Sequence, residues 1–257
     1  KKINEKKFLG GVGYIANLLS SFVKKVKIAS FLGDHQDEFS FIKKNLNKKI
    51  KYKFFTKKNS PTINKLRYVD DYRKGKIFGV YNINDNFISQ NEEKKFISYL
   101  KKELKKHDVI IVADYGHGIL TKNVRNKILK YEDKLFLNTQ INSFNRGFHT
   151  LFNYKKINTL VINESELRYE LRNKNLNVDE LAKLLCKKIK LKNLIITKGK
   201  NGANYYSNGN KTKIYCPAFG TNPVDAIGAG DALFAISSIA LGAGTKPTIA
   251  TLIASLG

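Results

Sequence analysis

Residues 224–234 combine a Gly-Ala-Gly turn with a carboxylate at the point where an apolar helical pattern begins. Small residues let a phosphate approach the backbone, and the N–H groups at a helix start, with the positive end of the helix dipole, suit an anion. A bound phosphate would repel Asp231, so its placement there needs a chemical reason. A base that takes a proton from a hydroxyl while the N–H groups hold a phosphoryl group supplies one. From the spacing alone, an Asp that caps the helix is the equal alternative.

Length and composition indicate one large α/β domain in a reducing compartment. At 257 residues the chain can bury a substantial core. Apolar runs such as 108–113 are far too short to span a membrane, and lysines interrupt the others. Two cysteines, Cys186 and Cys216, imply no disulfide framework or zinc site, and the four histidines show no metal-ligand spacing. Because no secretory signal is visible, we expect a cytoplasmic protein without a membrane partner.

The formal net charge of +26 raises the question of a nucleic-acid partner. The lysines, however, are spread along the whole chain, mostly on the polar faces of predicted helices. Together with abundant Asn and Ile, they are what A/T-rich coding sequence tends to produce. No RNP-like or helix-turn-helix signature is present. We therefore expect no nucleic-acid partner, and a basic surface that steers anionic substrates.

Strand and helix patterns alternate along most of the chain. Alternating units of this length predict an α/β fold, with a mostly parallel, doubly wound sheet flanked by helices. Apolar periodicity predicts helices from the Gly10–Gly13 turn through Phe22, around 39–46, and at 93–105, 121–131, 177–190, 228–241 and 247–256. Continuous apolar runs predict strands at 26–32, 108–113, 135–138, 159–163 and 193–197. A hairpin is predicted around Asn208-Gly209-Asn210.

Residues 50–84 break this alternation. Aromatic and β-branched residues, with turn residues at Asn59-Ser60-Pro61 and Lys74-Gly75, predict several short strands between two helical regions. Such a β insertion would form a small β-sheet lid over a site at the strand ends, or a contact between two copies of the chain. An edge extension of the main sheet is the alternative.

Five short motifs then come in the order found in the ribokinase-like (PfkB) carbohydrate kinases. They are Gly10-Gly11-Val12-Gly13 with Asn17, Gly33-Asp34, Asn163-Glu164-Ser165-Glu166, Thr197-Lys198-Gly199 with Gly202, and Asp225-Ala226-Ile227-Gly228-Ala229-Gly230-Asp231. Each is common by itself. Their order, with a β insertion after the second, resembles that family over nearly the whole chain. The resemblance implies a ribokinase-like fold and an ATP-dependent kinase that acts on a sugar or sugar phosphate.

Within the family, three segments resemble the heptose-phosphate kinases that make ADP-heptose. Two of them are 60–67 and 113–118, which include Ser-Pro-Thr-Ile and Ala-Asp-Tyr-Gly-His-Gly. The third, 138–147, is similar to a subgroup whose kinase domain is joined to a nucleotidyltransferase domain. This resemblance implies a heptose phosphate as substrate and a fused nucleotidyltransferase.

For the nucleotide, the resemblance implies that Asp231 deprotonates the acceptor hydroxyl while the N–H groups of Gly228, Ala229 and Gly230 stabilise the phosphoryl group. Asn163 and Glu166 would hold Mg²⁺ and the triphosphate through waters, although a strand-end Asn and a first-turn Glu need no such role. Three residues would border the ATP, or would only form a strand-to-turn junction: Thr197, Gly199 and Gly202. Asp225 would help to bind a monovalent cation such as K⁺, or would only cap its turn.

For the sugar, the resemblance implies contacts from Gly10, Gly11, Gly13, Asn17 and Asp34. Close helix–strand packing is the alternative for the glycines. Lys65 and Arg67 on the insertion would close over a phosphorylated sugar, or would be solvated strand charges. Asp114 lies at a predicted strand end, where ligands bind in open α/β sheets. Arg146 is a further phosphate candidate or a surface residue.

Some features depart from the family pattern. Ala226 stands where a Thr is usual, and His117 replaces a Lys. The first strand, which normally brings a sugar-binding Asp, and the stretch after Gly257 that completes the adenine pocket are missing, so we expect a kinase domain over 1–257 that is incomplete at both ends. A kinase for a nucleoside or plain sugar remains an alternative. So does a family member without turnover that serves as a binding module of a larger polypeptide.

Overall fold

The computed structural model describes residues 4–35, 38–70, 72, 76–141, 145–207, 212–220 and 228–256. It forms two compact units, Lys1–Asn84 and Asp85–Gly257. Within the described residues, no helix is both long enough and apolar enough to cross a membrane.

The described residues of the first unit form two helices and two pairs of strands. In chain order they are α1 (Gly11–Leu19), β1 (Lys27–Gly33), α2 (Phe39–Asn45), β2 (Lys51–Lys57), β3 (Asn64–Val69) and β4 (Lys76–Asn82). β1 and β2 pair in parallel over their full length, and β3 and β4 form an antiparallel hairpin. A small core of Ala16, Ile28, Leu46 and Ile50 holds the helices on the parallel pair.

The predicted strands of residues 50–84 are therefore present, but they belong to two sheets. β2 pairs with β1 in one two-stranded sheet, whereas β3 and β4 form a second two-stranded sheet. The helix predicted through Phe22 is wrong at its end, because α1 stops at Leu19. There the Ser20 hydroxyl donates to the Asn17 carbonyl, a local bond that competes with helix continuation.

The second unit is built on a six-stranded sheet. Its elements are α3 (Gln90–Glu103), β5 (Ile110–Asp114), α4 (Lys122–Ile128), β6 (Leu135–Thr139), β7 (Lys156–Asn163), α5 (Glu164–Leu171), α6 (Val178–Lys188), β8 (Lys190–Thr197), β9 (Ala203–Ser207), β10 (Thr212–Cys216), α7 (Ala229–Gly242) and α8 (Pro247–Leu256). The strands lie in the order β10-β9-β8-β7-β6-β5. β5 to β8 are parallel, and β9 and β10 add an antiparallel edge.

The burial of β6 and α7 explains why apolar patterns in the sequence predicted both elements. All five residues of β6 are buried, as expected for a parallel strand covered on both faces. α7 is apolar around most of its circumference after Asp231, and it buries Phe234, Ala235 and Ile236. The predicted alternation is confirmed, but α5 was not predicted as a separate helix, and α4 is shorter than the predicted 121–131.

The parallel register brings the ends of four strands to one edge of the sheet. Asp114 at the end of β5 is opposite Thr139 of β6, and Asn163 at the end of β7 is opposite Thr197 of β8. Ligands bind outside the carboxyl ends of strands in open α/β sheets. This edge is therefore where functional side chains are expected.

Candidate active site

Asp231 lies in the first turn of α7, and it does not cap the helix. The N-cap residue is Gly228, which has φ +90° and provides no side-chain cap. That left-handed backbone favours glycine. Ala229 and Gly230 are exposed and Asp231 is half-buried. The start of α7 thus presents exposed backbone, as a phosphate-binding helix start requires, and Asp231 places a carboxylate beside it.

Within the described part of the chain, the side chains of Tyr115 and Gln140 donate to the Asp231 carboxylate. The Tyr115 hydroxyl donates to Asp231 Oδ1 at 3.2 Å, and Gln140 Nε2 donates to the same oxygen at 3.3 Å. Tyr115 directly follows β5, and Gln140 directly follows β6. The carboxylate is therefore tied to the carboxyl-end edge of the parallel sheet.

The charge of Asp231 affects the protonation of its neighbour Tyr115. Burial, followed by the charge and hydrogen bond of Asp231, raises the pKa of Tyr115 far above its usual range. Tyr115 therefore keeps its proton, and remains a donor, over the whole range of pH in which proteins work.

Asn163 and Glu166 form a capping box at the start of α5. The Asn163 side chain accepts from the Ser165 N–H at 2.9 Å, and Glu166 Oε2 accepts from the Asn163 N–H at 3.2 Å. Glu166 Oε1 accepts from the Ile141 N–H at 3.3 Å. Burial raises the pKa of Glu166, and the charges of Glu170 and Asp231 add to this effect.

These groups fit a hydrated Mg²⁺. The available donors are carboxylate and amide oxygens, which Mg²⁺ prefers, and a cation would relieve the repulsion between Glu166 and Asp231. Both Glu166 oxygens already accept a backbone N–H, which suits contact through water better than direct ligation. Among the described residues, His, Cys, Asp and Glu form no group of three placed to hold a metal ion directly.

The residues predicted to border the nucleotide lie at the end of β8 and directly after it. Asn163 Nδ2 lies 3.4 Å from the Thr197 carbonyl, so the ends of β7 and β8 are linked by this side chain. Gly202 has φ +73°, and a Cβ there would lie 2.1 Å from the Cys216 carbonyl oxygen. Gly199 has φ +56°, with open space around it. Its exposed backbone can thus be approached closely by a ligand.

Asp114 is enclosed by the protein. Its side chain accepts from the Tyr154 hydroxyl at 2.7 Å and from the Gly116 N–H at 3.1 Å. His149 Nε2 lies 3.7 Å from the same carboxylate. These contacts favour a role in shaping the loop that carries Tyr115 over direct contact with a ligand.

In the first unit, two predicted sugar-binding side chains already have protein partners. Asn17 donates to the Asn45 carbonyl at 2.8 Å and accepts from the Asn47 N–H at 2.9 Å, so it fastens α1 to the end of α2. Asp34 accepts from the N–H groups of Asn59 and Ser60, both at 3.1 Å. The Ser60 bond is the main cause of the lowered pKa of Asp34.

The other predicted residues of this unit range from half-buried to exposed. Gly10 is the N-cap of α1 with free space around it, Gly11 has φ +50°, and a Cβ at Gly13 would lie 3.3 Å from Leu9. Lys65 and Arg67 are exposed on β3. Asp225 and Ala226 lie outside the described residues. In the second unit, Arg146 is placed over the Tyr169 ring at 5.6 Å.

The structure thus brings Asp231, Asn163, Glu166 and Thr197 to one edge of the second unit. Sequence reasoning missed Tyr115 and Gln140, although both lie in segments that it singled out. Each is a polar residue immediately after a buried parallel strand, and that position was the available signal.

The sequence is similar to known proteins over almost its whole length. The model of the pfkB family of carbohydrate kinases matches residues 2–248. The bifunctional protein HldE of Aliarcobacter butzleri is 28% identical over 245 residues, which are 93% of this chain and 49% of that protein. The chain spans about half the length of the curated relatives it matches.

Solved structures show the same fold at low identity. Phosphofructokinase-2 from Escherichia coli, in complex with substrates and products, superposes with a TM-score of 0.72 at 11% identity, over 94% of this chain and 78% of that one. Arabidopsis thaliana ribokinase, complexed with ribose and ATP, gives 0.67 at 13% identity, over 95% and 77%. The chain belongs to the pfkB family of carbohydrate kinases and has the ribokinase-like fold.

Proposed function

We propose that this chain transfers the γ-phosphoryl group of ATP to a hydroxyl of a sugar or sugar phosphate, with Asp231 as the base. The observation that carries the proposal is the half-buried Asp231 carboxylate, set in the first turn of α7 beside exposed backbone at Ala229 and Gly230. This is the combination that in-line phosphoryl transfer to an alcohol demands.

In the proposed reaction, Asp231 accepts the proton of the acceptor hydroxyl. The hydroxyl oxygen forms a bond to the γ-phosphorus while the bond to the bridging oxygen breaks and ADP leaves. The N–H groups of Gly228, Ala229 and Gly230 stabilise the negative charge on the transferred group. Because phosphoryl transfer depends mainly on positioning and charge neutralisation, these groups meet its main requirements.

For the nucleotide, we propose that Thr197, Gly199 and Gly202 border ATP and that Asn163 and Glu166 hold Mg²⁺ through water. The bound metal would neutralise triphosphate charge. Similarity to a ribokinase complexed with ATP supports the nucleotide. We assign Asp225 to a monovalent cation such as K⁺ on the family resemblance alone.

For the acceptor, we propose a heptose phosphate. Similarity to HldE proteins over 93% of the chain supports this choice, as do the segments 60–67 and 113–118. Exposed Lys65 and Arg67 supply charge for a phosphate. The open space around Gly10 would let a sugar hydroxyl reach the backbone, with Gly11 and Gly13 half-buried beside it. Asn17 and Asp34 would act mainly by shaping the loops around them. The bifunctional relatives also support a fused nucleotidyltransferase as partner.

We also propose that the β3–β4 hairpin joins two copies of the chain. Its register pairs Leu66 with Val80 and Tyr68 with Phe78, and the last two rings stack at 4.3 Å. Residues two apart on a strand share a face, so these four apolar side chains form one surface, which we call the hairpin face. All four are exposed.

A substrate panel with a matched variant tests the kinase activity. The panel contains a heptose phosphate, fructose 6-phosphate, ribose and a nucleoside, and ATP consumption is measured for each. We expect the heptose phosphate to react fastest. Asp231→Asn should lower kcat by about 10²- to 10⁴-fold, the usual contribution of a general base.

Asp179→Asn is the control, because Asp179 also lies in a first helical turn and accepts a Tyr hydroxyl. It should leave kcat unchanged. Fastest turnover of ribose or the nucleoside would favour the plain-sugar or nucleoside alternative. No ATP consumption with any acceptor would favour a binding module, and near wild-type activity of Asp231→Asn would contradict the base assignment.

A further inference from the structure

The donors that hold Asp231 come from two different strand ends. Tyr115 follows β5 and Gln140 follows β6, and both donate to the same oxygen, Oδ1. A carboxylate that is held at one oxygen by donors from two directions cannot rotate freely about its Cβ–Cγ bond. The distances of 3.2 and 3.3 Å are long, as catalytic hydrogen bonds often are before substrate binds.

Other residues hold the two donors in place. The Asn145 side chain is buried, and its Nδ2 donates to the Tyr115 carbonyl at 3.0 Å and to the Gln140 carbonyl at 2.9 Å. The Gln140 N–H donates to the Asp114 carbonyl at 3.0 Å. Gln140 Nε2 also lies 3.3 Å from Asn138 Oδ1. A network supported in this way can place a side chain more accurately than an isolated contact.

The same loop also reaches the proposed metal-holding carboxylate. Gln140 contacts Asp231 through its side chain, and the next residue, Ile141, donates its N–H to Glu166 Oε1 at 3.3 Å. Two adjacent residues thus set the positions of both carboxylates. Phosphoryl transfer is sensitive to the placement of reacting groups. A loop that positions both the proposed base and the proposed metal-holding carboxylate therefore favours the reaction.

We propose that Tyr115 and Gln140 are positioning residues that together hold the Asp231 carboxylate in line for the acceptor hydroxyl. This inference rests on the proposed function. Their hydroxyl and amide stay bonded to Oδ1 and do not exchange protons with the substrate. The raised pKa of Tyr115 is consistent with this role, because a phenol that keeps its proton remains a donor.

Tyr115→Phe and Gln140→Leu, singly and together, test the proposal. ATP and the panel acceptor that reacts fastest are used at saturation. Each single variant should lower kcat about 10- to 100-fold, the cost of a small misplacement, with both KM values within about threefold of wild type. The two losses should combine less than multiplicatively, because both donors act on one oxygen.

Tyr206→Phe is the matched control. Tyr206 also donates to a first-turn carboxylate, that of Asp179 at 2.6 Å, and its pKa is also raised by burial. Tyr206→Phe should leave kcat unchanged while it lowers the melting temperature about as much as Tyr115→Phe does.

The proposal is overturned if Tyr115→Phe and Gln140→Leu keep wild-type kcat while Asp231→Asn is inactive; the proposed function would then stand. A rise in KM without loss of kcat would also overturn it. If Asp231→Asn itself keeps wild-type kcat, the proposed function fails first and this inference fails with it.

Discussion

At the scale of single residues, the candidate site is a carboxylate whose chemistry depends on distant neighbours. The local spacing of residues 224–234 was enough to single out Asp231 as a candidate. Its two donors were not, because Tyr115 is 116 residues away in the chain and Gln140 is 91 residues away. Only the pairing of β5 with β6 brings them together. Spacing within a motif therefore singled out Asp231 but could not predict which side chains hold it.

A stability measurement tests the charge on Glu166. Burial raises its pKa above the ordinary value of 4.5, so between 4.5 and the raised pKa the unfolded chain binds fewer protons than the folded one. The free energy of unfolding of the wild type should therefore fall as the pH rises through that window. Glu166→Gln removes this dependence, and its stability relative to wild type should increase from pH 4.5 to pH 7 in urea unfolding.

Glu180→Gln is the control, because Glu180 makes the same capping contact at the start of α6 but is exposed. Glu180→Gln therefore shows the effect of losing the capping contact when the carboxylate is not buried. A difference between Glu166→Gln and wild type that does not change with pH would contradict the assignment.

At the scale of secondary-structure elements, periodicity predicted most helices and strands, while local capping determined their ends. α5 was missed because it is only eight residues long and directly follows β7, with no connecting segment between them. Asn163 ends β7 and caps α5 at once. The same residue types that suggested a metal site thus also form an ordinary capping box, and sequence could not separate the two roles.

Two matched capping boxes allow an experiment to separate the capping role of Asn163 from its proposed role at Mg²⁺. Asn163 with Glu166 begins α5, and Asn177 with Glu180 begins α6. Asn163→Ala and Asn177→Ala should each cost about 1 kcal/mol of unfolding free energy, since each removes an N-cap. In addition, Asn163→Ala should raise the Mg²⁺ concentration needed for half-maximal activity, whereas Asn177→Ala should not. An equal Mg²⁺ requirement in the two variants would show that Asn163 is only a cap.

At the scale of the whole molecule, composition predicted the class of fold but not the way in which residues 50–84 are divided. The aromatic and β-branched content of that segment predicted strands correctly. It could not show that β2 would pair with β1 while β3 and β4 form their own sheet, because strand pairing depends on long-range contacts. The hairpin face that results is apolar and exposed, as the proposed contact between two copies of the chain requires.

Sedimentation tests whether this face joins two copies of the chain. We expect wild type to sediment as a dimer and Phe78→Asp, which places a charge in the hairpin face, to be monomeric. Ile77→Asp is the control. Ile77 is also exposed, but because it is next to Phe78 on β4 its side chain points to the opposite side of the strand. A wild-type protein that is monomeric at every concentration, or equal effects of the two variants, would contradict the proposal.

The central claim is that Asp231 removes the proton of the acceptor as the phosphoryl group arrives. Single-turnover transfer from radiolabelled ATP, with enzyme in excess, isolates that chemical step from product release. The account predicts that Asp231→Asn slows this step by about 10²- to 10⁴-fold while ATP still binds. A single-turnover rate in Asp231→Asn equal to that of wild type would contradict it.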